Sequence, residues 1–152
     1  MIRYYAEYDS PLGKISTVSD GKELKELRFV DEYVGHSDEL PIFDTTRRWL
    51  DSYFSGKIPD FTPPLAPFGT LFHRRVWIEL LSITYGKTTT YGDIAKRIGC
   101  KSAQAVGNAV HNNPIAIIIP CHRVIGANGQ LRGYAYGKDR KQHLLQIEKH
   151  LV

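Results

Sequence analysis

A chain of 152 residues with 42% hydrophobic content holds enough apolar side chains for one ordinary core or two small units. No apolar run approaches the roughly 18–20 residues of a spanning helix. Arg3, Glu7 and Asp9 interrupt what would be a signal peptide, and two cysteines suit a reducing compartment better than a disulfide framework. A soluble, cytoplasmic protein is expected.

The net charge of +4 is unevenly spread. Residues 1–65 carry 8 Lys/Arg against 12 Asp/Glu, whereas residues 66–152 carry 12 against 4. That balance fits a second half that meets a polyanion, and equally a solvated basic surface. In chain order, Ile2 to Tyr8 and Ile15 to Val18 read as strands around the turn-prone Asp9-Ser10-Pro11-Leu12-Gly13, and Leu24 to Val30 reads as a third. Phe43 to Phe54 has helical spacing and ends at Ser55-Gly56. Residues 1–65 are thus expected to form a small α/β domain, a short antiparallel sheet with a helix across it. Thr62-Pro63-Pro64-Leu65-Ala66-Pro67 is too stiff and donor-poor for an element interior and marks the boundary.

Beyond it, Leu71 to Ile83 is a predicted helix with Phe72, Val76, Leu80 and Ile83 on one face. Thr90-Tyr91-Gly92-Asp93 has the form of a capping box and starts a helix through Ile98. Gly99-Cys100-Lys101 turns the chain, and Ser102 caps a second short helix, Ala103 to His111. The pair has helix-turn-helix spacing, which many helical cores share. Ala103, Ala105, Gly107 and Ala109 leave the second helix little bulk, fitting either helix–helix packing or backbone approach to a narrow groove. The fold class is α+β: the N-terminal α/β domain, then a mainly helical domain over residues 66–152 with a helix-turn-helix of winged-helix type.

The run Ile115-Ala116-Ile117-Ile118-Ile119-Pro120-Cys121-His122-Arg123-Val124 reads as a buried strand that stops at Pro120 and presents a thiol. Thiolate is the nucleophilic form, and an imidazole nearby, if oriented by a third group, lowers a thiol from about 8.5 toward neutrality. Taken alone, Cys-His equally describes a structural cysteine beside a surface histidine.

The segment Ile118-Ile119-Pro120-Cys121-His122-Arg123-Val124 closely resembles the active-site signature of the O6-alkylguanine-DNA alkyltransferases. Asn112-Asn113-Pro114 resembles the Asn-Pro before that family's strand, and Tyr85 to Tyr91 its Tyr/Phe-Gly-(x)n-Ser/Thr-Tyr element. Gly133 to Gly137 resembles the loop closing over the target base, and Leu144 to Glu148 the terminal helix with its Glu. Over residues 1–65 the likeness rests on Ser10-Pro11-Leu12-Gly13.

The resemblance implies irreversible, single-turnover transfer of an alkyl group from O6-alkylguanine in DNA to Cys121, with O4-alkylthymine left open as a second substrate. His122 would relay the thiol proton through a water, with Glu148 orienting it. Tyr91 would donate to the leaving guanine, and Asn113 would tie the helix pair to the active-site segment. Tyr134, Ala135, Tyr136 and Val124 would bind the flipped base, Ala135 through its backbone N–H. Tyr91, Lys101, Ser102, Ala103, Gln104, Ala105, Gly107 and His111 would meet the minor groove of double-stranded DNA. Gln104 departs from the family, which has an arginine where the base was extruded. No cofactor is implied. Metal ligands cannot be assembled from two separated cysteines and scattered histidines. A monomer with no membrane association, on the nucleoid when bound to DNA, completes the expectation. The alternatives are a helix-turn-helix regulator with an inert or redox-sensing Cys121, a non-catalytic alkylguanine-binding protein, and a cysteine hydrolase using Cys121 and His122.

Overall fold

The structure is a computed structural model that describes residues 2–131 and 133–149. It divides into two compact units, one the chain up to Phe68 with Pro114–Ala116, the other Gly69–Asn113 with the chain from Ile117 onward.

In the first unit, β1 (Tyr4–Ser10), β2 (Gly13–Ser19) and β3 (Leu24–Val30) form an antiparallel sheet in that order. Ser10 pairs with Gly13 across a two-residue turn, and Gly13 takes φ 128, a left-handed conformation that favours glycine. Asp20 closes the next turn, accepting from the backbone N–H groups of Lys22 and Glu23 at 3.0 and 2.9 Å. The sheet's outer edges are covered. Along β1, Tyr5 N–H donates to Asp38, Glu7 N–H to Ser37, and Gly35 N–H to Glu7. Along β3, Leu24 N–H donates to Pro64 O and Ala66 N–H to Leu24 O, while Leu27 N–H donates to Pro114 O and Ala116 N–H to Leu27 O. Helix α1 (Pro41–Phe54) starts on proline, whose missing N–H costs nothing there. Its buried face of Ile42, Phe43, Thr46, Trp49, Leu50 and Tyr53 joins Ile15, Leu24 and Leu27 in the core.

The second unit opens with α2 (Leu71–Leu81), capped by Thr70. The expected extension to Ile83 is not present, because Ser82 caps the helix and Ile83 is buried beyond it. Trp77, on the buried face, donates through its indole N–H to Ala109 O at 2.8 Å. Helices α3 (Tyr91–Ile98) and α4 (Ala103–His111) have the caps read from the sequence: Thr90 accepts from Asp93 N–H, Ser102 from Ala105 N–H, and Gly99 ends α3 in the left-handed conformation. Strands β4 (Thr89–Thr90) and β5 (Val124–Ile125) pair in parallel, and α5 (Lys138–Lys149) buries Lys141, Leu144 and Glu148.

The run 115–124 corrects one expectation. It is buried but is not one strand: Ile115 makes one isolated bridge, a turn follows with Ile117 at φ 69, Cys121–Arg123 form a 3-10 turn, and only Val124 enters a strand, β5. A positive φ at a β-branched residue reverses the chain where a strand would continue. Continuous hydrophobicity reported burial here, not period.

Candidate active site

The 3-10 turn places Cys121, His122 and Arg123 in succession, all buried. In an extended strand adjacent side chains point to opposite faces; the 3-10 turn removes that alternation at Cys121 and His122. His122 Nε2 lies 2.5 Å from Glu148 Oε2 on the buried face of α5. Glu148 also accepts from Arg123 Nε at 2.8 Å, Arg123 Nη2 at 3.3 Å and Gly86 N–H at 3.1 Å. Burial alone would raise the Glu148 carboxyl, but its bonds and charge interactions with His122 and Arg123 hold it at about 2. Burial lowers the His122 imidazole despite the opposing pull of Glu148. Glu148 is therefore the anion of the pair and His122 the neutral partner. A carboxylate only accepts, so the His122 proton sits on Nε2 and the basic lone pair on Nδ1.

The thiol differs from expectation. Burial pushes the Cys121 thiol up, outweighing a hydrogen bond with Asn113, the charge of Lys141 and the backbone N–H groups of Cys121 and His122. At rest it is a protonated, desolvated thiol, not an activated thiolate. Asn113 is buried and also donates from Nδ2 to Ile119 O at 2.8 Å, while its N–H reaches Val110 O at the end of α4. These bonds join the end of α4 to Ile119.

Two charged residues in this cluster were not singled out from the sequence. Lys141 is 1% exposed, donates from Nζ to Val124 O at 2.6 Å, and is lowered by burial to about 8. Its signal was its spacing with Leu144 and Glu148 on one helix face. Arg123 stood inside the matched segment without a role of its own.

Among the expected base-binding residues, Val124 and Tyr134 are buried, Tyr136 is half-buried and Ala135 is exposed. Tyr134 and Tyr136 pack edge to face, centroids 5.5 Å apart. The Tyr134 hydroxyl is buried with no hydrogen-bond partner among the described residues, and burial raises it far above its usual range. A separate open concavity is lined by Tyr91, Ala103, Gln104, Gly107, His111 and Gly133. The Tyr91 ring packs 3.7 Å from where a Cβ on Gly107 would stand. Ala109 is buried, while Ala103 is exposed and Ala105 and Gly107 half-buried, so the small-residue stripe serves both packing and an open surface. Lys101, Ser102 and Gln104 are exposed at the start of α4. Among the described residues no group of three or more His, Cys, Asp or Glu is placed to hold a metal, and no helix is long and apolar enough to cross a membrane.

Comparison with known proteins covers the whole arrangement. Residues 71–150 match the family described as 6-O-methylguanine DNA methyltransferase, DNA binding domain, and residues 3–67 match its ribonuclease-like domain. The methylated-DNA–protein-cysteine methyltransferase of Methanosarcina acetivorans is 46% identical, over 95% of this chain and 97% of its own. That of Mycobacterium leprae is 47% identical, over 95% and 91%. The crystal structure of Mycobacterium tuberculosis OGT in complex with DNA superposes with a TM-score of 0.88 at 43% identity, covering 96% of this chain and 92% of that one.

Proposed function

The chain belongs to the 6-O-methylguanine DNA methyltransferase family, and on that premise we propose how its residues repair DNA by transferring an alkyl group to the protein's own cysteine. Cys121 is the acceptor. The observation that carries this reading is a buried thiol beside an imidazole fixed on a buried carboxylate at 2.5 Å, the arrangement that nucleophilic catalysis needs.

In the reaction, the Cys121 proton passes to His122 Nδ1, relayed by a water, and Glu148 stabilises the imidazolium formed. The thiolate attacks the alkyl carbon on guanine O6. The C–O bond breaks with its electron pair going to the purine, a C–S bond forms, and the proton lost by the thiol is balanced by one gained by guanine. Tyr91 donates to that leaving base. The thioether has no hydrolysis route, so each molecule acts once. Asn113 holds the thiol and the Ile119 carbonyl in register, and Tyr134, Ala135, Tyr136 and Val124 enclose the base.

Double-stranded DNA containing O6-alkylguanine approaches the start of α4. Lys101 and Ser102 meet phosphates, and Ala103, Gln104, Ala105, Gly107 and His111 follow the minor groove. The slim, open face lined by Tyr91, Ala103, Gln104 and Gly107 supports that geometry, and extrusion of the base explains how a buried thiol reaches its target. The protein acts as a monomer in the cytoplasm, on the nucleoid.

Incubation with O6-methylguanine DNA, followed by intact mass and peptide mapping, tests the reading. One methyl group per molecule is expected, on Cys121, with no gain in Cys121→Ala. Turnover beyond one equivalent, or a label on Cys100, would overturn it.

A further inference from the structure

Arg123 has no part in the chemistry just described, yet it is 8% exposed and intimately bonded. Its Nε and Nη2 grip both oxygens of Glu148, at 2.8 and 3.3 Å, and its Nη1 donates to Ile83 O at 2.7 Å. The guanidinium carbon lies 5.6 Å from the centre of the Tyr85 ring. A buried ion pair of this kind is a weak device for stability, because well-packed apolar side chains usually serve as well or better. Its position suggests a different use.

An anionic carboxylate alone beside a buried imidazole draws a second proton onto the pair, leaving an imidazolium already formed before the thiol ionises. A guanidinium on the same carboxylate changes this in two ways. It occupies acceptor positions on both oxygens, so that Glu148 Oε2 is shared between Arg123 Nη2 and His122 Nε2. It also opposes a second positive charge on His122, an effect shared by Lys141. The charged and titratable groups around His122 are Glu148 and Lys141 from α5, Cys121 and Arg123 on its own turn, and Tyr85 beneath the guanidinium.

We propose that Arg123 is a positioning residue for alkyl transfer: by holding both oxygens of Glu148 it locks the His122 proton on Nε2 and keeps the imidazole uncharged, ready to accept the proton of Cys121. This rests on the assignment of Cys121 as acceptor and His122 as its base. Arg123 also ties the segment 83–86 to the same carboxylate, through Ile83 O and, by way of Glu148, Gly86 N–H.

The test follows transfer from free O6-benzylguanine by intact mass between pH 5 and 9, in the native protein, Arg123→Gln and Arg123→Lys. The ring nitrogens of His122 are followed by NMR in parallel. For Arg123→Gln the acid limb of the rate profile should move up by about one pH unit or more, so that its rate deficit grows from pH 8.5 toward pH 5, up to about tenfold for each unit of that move, and the ring titration should move with it. Arg123→Lys keeps the charge but not the two-point grip, and should lose rate evenly while its acid limb stays in place. An equal loss at every pH in Arg123→Gln, with an unmoved ring titration, would make Arg123 merely structural and overturn the inference. Should Arg123→Gln not fold, the native protein decides: His122 must be the neutral Nε2–H tautomer at pH 7, and an imidazolium or an Nδ1–H tautomer refutes the proposal. A native protein that gains no mass from O6-benzylguanine would instead refute the acceptor assignment, whatever its tautomer.

Discussion

Acid should unfold this protein through Glu148. The carboxyl titrates at about 2 in the fold against 4.5 for a free side chain, a depression of about 2.5 units that corresponds to about 3 kcal/mol. The sign follows from which state binds the proton. Between pH 4.5 and 2 the unfolded chain takes one up at this carboxyl and the folded chain does not, so the contribution is complete above about pH 5 and disappears as pH falls to about 2. Since Glu148 is wholly buried, solvent screening discounts little of it. Glu148→Gln removes the titration while leaving an oxygen to accept from Arg123 and Gly86. Thermal unfolding of both proteins from pH 2 to 7 reads Glu148 together with the His122 titration coupled to it, because every other carboxylate titrates in both and cancels in the difference. At pH 7 the variant should melt lower by roughly 10 °C, taking 2–4 °C per kcal/mol for a chain of this size, and the two curves should converge toward pH 2. Curves that stay parallel across that range would refute the reasoning.

Three further outcomes are expected. Lys141→Met removes a buried cation that favours the thiolate, so alkylation of Cys121 by iodoacetamide should slow by about tenfold at pH 7 and approach the native rate at alkaline pH; equal slowing at all pH would assign Lys141 to packing. Tyr134→Phe deletes a hydroxyl that is buried without a hydrogen-bond partner among the described residues, and should leave stability unchanged or raise it by up to about 1 kcal/mol in urea titrations, whereas a loss of more than that would reveal a hidden partner. Gln104→Arg, at an exposed position of α4, should tighten duplex binding and steepen its salt dependence by about one unit while leaving reaction with free O6-benzylguanine unchanged; acceleration of both reactions would place residue 104 in the thiol pocket.

Local signals carried furthest where a single residue has one physical job. Thr90, Ser102 and Gly99 were readable as caps because an orphan N–H needs a nearby acceptor and a helix end favours glycine, requirements independent of the rest of the chain. The three strands were legible for a similar reason, since alternation and turn residues agree. The run 115–124 was misread as a strand because, among the described residues, only Ile115 and Val124 at its two ends meet a ladder partner. Its backbone groups are satisfied piecemeal, Ala116 N–H by Leu27 O and Ile119 O by the Asn113 side chain, and such long-range partners leave no periodic trace. Lys141 and Arg123 were missed because Lys and Arg are mostly exposed, and their burial depends on partners distant in sequence. The thiol's protonation was equally illegible, since a neighbouring histidine suggests activation while the desolvation that opposes it comes from everything packed around Cys121.

That desolvation bears on how the protein survives until it is needed. A nucleophile that can be used once is lost just as surely to a stray peroxide or a small electrophile as to a lesion. Oxidation and adventitious capping follow thiolate character and access, and burial denies Cys121 both while its proton stays in place. Cys100, half-exposed at the turn between α3 and α4, lacks that shelter and should be the first thiol to oxidise under mild peroxide. The shelf life of the unspent protein is thus set by the same burial that delays its reaction until a base is delivered into the pocket.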